Sequence, residues 1–433
     1  MKHYRELLIF AYVLAVCSVS VWGQNGYVLR EEFRSEINDF ASSPVIQEGF
    51  KYIVDLESET RSDHIRLTEV EAPPFKEDQR AMLFKGMITK YRADSIWTDE
   101  VGNVLALWKG QNGERTVALD AHLDTVFPEG TDVSVEEKGD TLYAPGIGDD
   151  TRGLAMLLTV AKTLDHLAVD HEDDILLIAS VGEEGLGDLR GVKHIFSQKG
   201  PKIDSWISID GGDIGRVNNK GLGSYRYEIT FKGPGGHSWG AFGLVNPHHA
   251  LGDAIARFVD RADDYTKNGP RTSYNIGIIE GGTSVNSIPF ASSMQVDMRS
   301  VEPSRLDTME QLLFKSVNEA LVKQNNRKRL GGDLSVDIRQ IGNRPSGELS
   351  AELTLIQRAI AATAYFGKRP RLSRGSTNSN IPISLDIPAV TIGRGGVGAN
   401  AHSLDEWWLN KDGAKSIQLA FLLLMIEAGV QTN

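Results

Sequence analysis

Four stretches of the chain are apolar with almost no interruption: residues 117–119, 175–181, 206–209 and 389–392. A strand with one wet face alternates in polarity, whereas a strand covered on both faces does not. These runs therefore predict the centre of a mostly parallel sheet. Between them the pattern changes period. "TRGLAMLLTVAKTLDHLA" sets Leu154, Leu157, Leu158, Ala161 and Leu164 at helical spacing, and "LNKDGAKSIQLAFLLLMIEAG" predicts a closing helix. Strands alternating with helices predict an α/β layered domain.

The middle of the chain reads differently. "GSYRYEITFKG", "SYNIGIIEGG" and "SSMQVDMRS" are short or alternating strand patterns, and "NPHHALGDAIARFVDRA" and "RLDTMEQLLFKSVNEALVKQ" are amphipathic helix patterns. They predict an α+β module set into the α/β domain. The expected division is a leader over 1–23, a first catalytic part over 24–217, the inserted module over 218–341 and a second catalytic part over 342–433. No internal repeat or low-complexity linker interrupts it.

Composition narrows the chemistry. "MKHYRELLIFAYVLAVCSVSVWGQ" places Lys2 and Arg5 before an apolar stretch from Leu7 to Trp22, followed by Gly23. That is the pattern of a secretory signal peptide cut before Gln24, and the stretch is shorter than the roughly 20 residues of a spanning helix. The expectation is an exported chain, periplasmic or extracellular, with no membrane span once the leader is removed; an uncleaved anchor is the lesser alternative. Cys17, the only cysteine, lies in that leader, so disulfides, thiol catalysis and cysteine-held zinc are excluded from the mature chain. Any metal must be held by His, Asp and Glu. A net charge of -12, with no basic patch interleaved with aromatics, excludes nucleic acid as a partner.

The strand ends carry the chemistry, as ligand sites of open α/β sheets do. "VALDAHLDTVFPEG" runs into Asp120, His122 and Asp124 at every second position, which on a strand is one face. Glu183 and Glu184 follow the second run, Asp210 the third, and a glycine-rich loop leads from the fourth to His402. "APGIGDDTRG" adds Asp149 and Asp150 at a helix start. Singly, each has a plain explanation: Asp149 or Asp150 can cap the helix, and Glu183, Glu184 and Asp210 can be turn residues. Together they are the ligand inventory of a two-metal hydrolase.

In "HLD", "GDDTRG", "GEEG", "SIDGG", "GGHS" and "NAHSLDE", taken in this order, the chain resembles the co-catalytic di-zinc exopeptidases and deacylases. That family includes peptidase T, glutamate carboxypeptidase, aminoacylase and succinyl-diaminopimelate desuccinylase. The resemblance spans the chain after the leader. It implies two divalent cations, zinc by default with cobalt or manganese as alternatives. Asp149 would bridge them, with His122 and Asp210 at one and Glu184 and His402 at the other. Asp124 would hydrogen-bond the His122 imidazole. Glu183 would be the general base toward the attacking water, and exchange of the two glutamates' roles is the main alternative. Asp120 is expected to be structural.

The resemblance also makes the inserted module a dimerisation domain, so a homodimer is expected. His237 of "GPGGHSWG" would reach the partner's active site and polarise the oxyanion; Asn286 and Arg299 would contact substrate. "SRGSTNSN" resembles a loop that meets the substrate's terminus, which brings in Gly375, Ser376 and Asn378. Two departures stand out. Thr151 and Arg152 follow the paired acids where relatives carry Lys, and Asn378 stands where several carry Asp. The activity expected is metal-dependent exopeptidase action on short peptides, by preference aminopeptidase action on tripeptides or dipeptides. N-acyl amino acid deacylation and carboxypeptidase action remain alternatives on the same machinery. A peptide-binding protein without catalysis, or a binding module without metal, is the reading from another class.

Overall fold

The computed structural model describes residues 27–431, so the leader and Cys17 lie outside the described residues. A nine-stranded sheet forms the centre. Its order is Ser95–Thr98, Val104–Trp108, Asp174–Ser180, Thr116–His122, Ser205–Ile209, Ala389–Ile392, Arg216–Gly221 and Gly347–Glu348, with Arg371–Gly375 also beside Arg216–Gly221. The four apolar runs are the four adjacent central strands, paired in parallel.

Both faces of these strands are covered, which is why they do not alternate. Val117, Leu119, Ile175, Leu177, Ile207 and Ile209 join a large core with the Thr151–Leu167 and Gly413–Glu427 helices. The intervening Ala118, Leu176, Ile178 and Trp206 face a second core with the Arg190–Ile195 helix. Each fully buried Leu or Ile contributes about 1.5–3 kcal/mol. The closing helix is buried along nearly its whole length, as an all-apolar helix must be. Four helices between Glu31 and Ile88, not singled out in the sequence, join the same core; Phe33, Ile37 and Ala41 of the first and Ile46, Phe50 and Ile53 of the second recur at helical spacing and were the available signal. No described helix is long and apolar enough to cross a membrane.

The middle segment builds a separate four-stranded antiparallel sheet, ordered Thr272–Gly281, Ala291–Ser300, Gly223–Lys232, Ser335–Arg344. Two helices, Pro247–Thr266 and Pro303–Asn326, cover one face around Phe258, Met298 and Leu313. Ala291–Ser300 alternates between buried and half-buried positions, the signature of a sheet packed on one side. The chain leaves the large sheet at Gly221 and returns to it at Gly347, which is Gly221's antiparallel partner. Leaving and returning strands are thus neighbours, and the small sheet hangs from one edge of the large one. Asn218, Asn219, Lys220 and Gly221 belong to the large sheet, and Gly223 opens the small one.

Candidate metal centre

The ends of the central strands meet the Asp149 loop at a cavity of about 500 Å³, lined by Asp149, Glu183, Glu184, Asp210, Arg299, Ser376 and His402 among others. A larger hollow of about 770 Å³ lies between residues 69–79 and 129–134 and contains none of the candidate ligands.

His122 is the last residue of its strand, 2 % exposed, and its Nε2 lies 3.2 Å from Asp149 Oδ1. The other Asp149 oxygen, Oδ2, lies 3.3 Å from His402 Nε2, which is also 2.9 Å from Glu184 Oε1. Asp149 therefore turns its two oxygens toward two different imidazoles. His122, Asp149 and Glu184 each offer a donor atom within 4.8 Å of the others. Imidazole and carboxylate donors converging in this way fit divalent cations. Asp210 follows the Ser205–Ile209 strand and lines the same cavity, outside that tight trio.

The electrostatics match a site built for positive charge. Burial disfavours the charged form of His122, but the carboxylates of Asp124 and Asp149 outweigh it and raise its pKa well above 6.5. Hydrogen bonds to Asp149 and Glu184 raise the His402 pKa to about 10. Burial works against the Asp149 carboxylate as well, yet the two imidazoles hold its pKa well below the usual carboxylate range.

Neighbouring backbone shapes the centre. The Asp150 side chain accepts from Gly153 N at 3.2 Å, capping the Thr151–Leu167 helix, and from His122 N at 3.3 Å. Thr151 bonds to Thr68 Oγ1 and the Gly146 carbonyl; Arg152 lies over the Trp408 ring. Both serve packing behind the Asp149 loop. Asp124 differs in detail from the expectation. Its carboxylate is 3.6 Å from His122 Nδ1, too far for a hydrogen bond, and it is the Asp124 backbone carbonyl that pairs with Nδ1 at 2.9 Å. The carboxylate instead accepts from Glu183 N at 2.9 Å and Glu184 N at 2.7 Å, because two converging amides compete for it.

The two glutamates diverge. Glu184 meets His402, whereas Glu183 pairs with Arg344 at 3.0 Å. Burial pushes the Glu183 carboxyl up to about 8, opposed by Arg344 and reinforced by Glu184.

The remaining candidates separate. Arg299 and Ser376 line the cavity. His237 and Asn286 are exposed together on the small-sheet module, where Ser238 N donates to the Asn286 carbonyl at 2.9 Å; neither lines the cavity within this chain. Asn378 is 2 % exposed and donates to Asp120 Oδ2 at 2.6 Å and Ser180 Oγ at 2.8 Å. It holds strand ends together beneath the site, and so does Asp120, which also accepts from Ser208 at 2.5 Å. Gly375 backs the Arg216 side chain; a Cβ there would fall 2.9 Å from Arg216 Nη2.

The sequence reading passed over Glu406, the last residue of "NAHSLDE". It is 1 % exposed and accepts from Gly146 N, Gly148 N and Asp149 N at 2.7, 3.0 and 3.2 Å, so it holds the loop that presents Asp149. An acid four residues after His402 was the available signal. Arg344, Arg216 and Arg394 carried none, because they come from scattered strand ends.

Residues 118–425 match the profile of Peptidase family M20/M25/M40, which is most of the chain. Carboxypeptidase G2 of Pseudomonas sp. (strain RS-16) is 26 % identical over 204 residues, 46 % of this chain and 47 % of the relative, so the match spans about half that relative's length. A tripeptidase from Staphylococcus aureus has a similar structure, with a TM-score of 0.68, 20 % identity, and coverage of 86 % of this chain and 98 % of that one. A dinuclear metal-binding M20 peptidase from Bacillus subtilis gives 0.60 at 17 % identity, covering 86 % and 98 %. The converging donors, the paired acids and the matched family agree: the chain belongs to peptidase family M20/M25/M40 and is a metallopeptidase or amide hydrolase.

Proposed function

We propose that this protein is an exopeptidase for short peptides, by preference an aminopeptidase on tripeptides or dipeptides. The observation that carries the reading is the division of labour around Asp149: its two oxygens face His122 and His402, while Glu183 turns away from those ligands toward Arg344. His122, Asp149 and Asp210 would hold one divalent cation, and Asp149, Glu184 and His402 the second. Two such cations would polarise the scissile carbonyl and the attacking water.

The chain's own groups do the rest. Glu183 takes a proton from the attacking water and delivers it to the departing amine nitrogen. Arg344 holds the Glu183 side chain and backbone in place. Asp124 fixes the two glutamate amides, and Glu406 fixes the Asp149 loop. Arg299 faces the cavity as a ligand for a substrate carboxylate. His237 acts across a two-fold homodimer, where it would stabilise the developing oxyanion. Support for the dimer lies in the module's exposed edge strand, with Ile278 and Ile279 45 % and 59 % exposed, beside bare Val285 and Phe290. The leader pattern supports export.

The deciding experiment incubates zinc-loaded protein with free-amino tripeptides, dipeptides and N-acyl amino acids, using Glu183→Gln as control and mass spectrometry as readout. Loss of the N-terminal residue, absent in the control, establishes the aminopeptidase. Release from acylated substrates alone makes it a deacylase, and turnover of neither sinks the proposal.

A further inference from the structure

Five arginines line the cavity: Arg216, Arg226, Arg299, Arg344 and Arg394. Three are engaged with carboxylates. Arg344 pairs with Glu183, and Arg226 and Arg299 grip the two oxygens of Asp297 at 2.9 and 2.8 Å. The other two are different. Arg216 spends one nitrogen on the Asp210 carbonyl, at 2.8 Å, and pairs with no carboxylate. Arg394 is only 9 % exposed, yet its guanidinium makes no hydrogen bond or ion pair among the described residues. Arg394 lines the cavity, so its guanidinium has up to five donors to offer a ligand there.

The two unengaged groups stand side by side. A Cβ on Gly211 would fall 2.6 Å from Arg216 Nη1 and 3.4 Å from Arg394 Nη1, so both press on the same glycine, whose φ is +52°. Room has been cleared behind them too. A Cβ on Gly148 would lie 2.7 Å from Arg394 Nη2, and one on Gly375 would lie 2.9 Å from Arg216 Nη2. Side chains at any of these glycines would push the guanidiniums out. Two like charges converging at one spot, one of them lacking any hydrogen-bond acceptor, leave a site whose complement is an anion.

We infer that Arg216 and Arg394 form a second carboxylate-binding subsite, which makes the preferred substrate a short peptide or N-acyl amino acid carrying an acidic side chain. The inference rests on the hydrolase reading above, in that the cavity is where substrate binds. The charge of Arg394 acts on Asp149, Asp150 and Glu406, yet among the described residues no carboxylate comes within ion-pair distance of Arg394 or Arg216. Arg299, whose Nε is held by Asp297, keeps its terminal nitrogens for the substrate's terminal carboxylate, and the Arg216–Arg394 pair takes the side-chain one.

The test separates binding from turnover by using zinc-loaded Glu183→Gln protein. Calorimetry compares matched probes differing only in acid against amide: Glu-Ala and Gln-Ala, Ala-Glu and Ala-Gln, N-acetyl-glutamate and N-acetyl-glutamine. The expected result is that at least one acid binds about 10- to 100-fold more tightly than its amide, as a hydrogen bond to a charged group allows. Adding Arg394→Gln, and separately Arg216→Gln, should collapse that ratio while bound zinc and melting temperature are retained. Equal affinity within every pair, no binding of any probe, or a ratio that survives both substitutions overturns the inference. Loss of both affinities in proportion would assign the arginines to packing instead. Failure of the wild-type protein to hydrolyse any of these compounds, with the acid preference intact, would overturn the hydrolase reading and leave this one standing.

Discussion

Arg344 Nη1 stands 3.0 Å from Glu183 Oε1, and both side chains are almost wholly buried, at 5 % and 6 % exposure. The same guanidinium also reaches Ser376 Oγ and the Glu183 carbonyl, so its planar fork serves three acceptors at once. Arg344→Met should lower stability by about 1–3 kcal/mol, because it leaves the Glu183 side chain, the Glu183 carbonyl and Ser376 without their donor, while the Glu183 carboxyl, already pushed up to about 8, takes a proton rather than stand charged. Urea denaturation should show Glu183→Gln recovering part of that loss in the double variant. Strict additivity would mean the two residues are not coupled. Arg344→Lys should fail to restore activity, since a single ammonium cannot hold the same three acceptors.

Asp124 acts on the centre through backbone. Its carboxylate holds the amides of Glu183 and Glu184, and its carbonyl holds His122 Nδ1. Asp124→Ala should weaken zinc binding about 10- to 100-fold without unfolding the protein. Competition against a chromogenic chelator measures this, and an unchanged affinity would remove Asp124 from the account.

His64 supplies a pH dependence from behind the Asp149 loop. It is fully buried, its Nε2 donates to the Ile147 carbonyl at 2.5 Å, and its Nδ1 has no partner. Burial, helped by Arg152, lowers its pKa from 6.5 to about 3. The unfolded chain therefore binds a proton that the folded chain refuses between those values. The stability contribution is complete above pH 6.5 and is lost as pH falls toward 3, with about 2 kcal/mol of it gone at pH 5. His64→Gln keeps a donor for Ile147 and should flatten this slope by about one proton. Melting temperatures at pH 7 and pH 5, with chelator in every sample, test it; parallel slopes would refute the assignment.

Asn378 reads as a structural amide. Its Nδ2 donates to Asp120 Oδ2 at 2.6 Å, and burial already pushes the Asp120 carboxyl up to about 6 against three hydrogen bonds. Asn378→Asp would set a second carboxylate beside the first. The expected loss is on the order of 3 kcal/mol at pH 7, shrinking as the pH falls and one carboxyl takes a proton. An unchanged urea midpoint at pH 7 would return Asn378 to the cavity wall.

Much was already determined by the sequence alone. Strands buried on both faces must be continuously apolar, so residues 117–119, 175–181, 206–209 and 389–392 announced the parallel centre. A strand-end chemistry needs His and acids just past those runs, so His122, Glu184 and His402 were visible as candidates before any contact between them was known. Only the tertiary structure decided which oxygens meet which nitrogens. Asp124 and His122 are two residues apart in either account, but two approaching amides draw the carboxylate off the imidazole. Arg216, Arg344 and Arg394 sit on separate strands and loops with no shared spacing, and their convergence on one cavity depends on the order of the sheet. A local pattern records what a residue's own element needs; long-range charge pairing leaves no period in the chain to read.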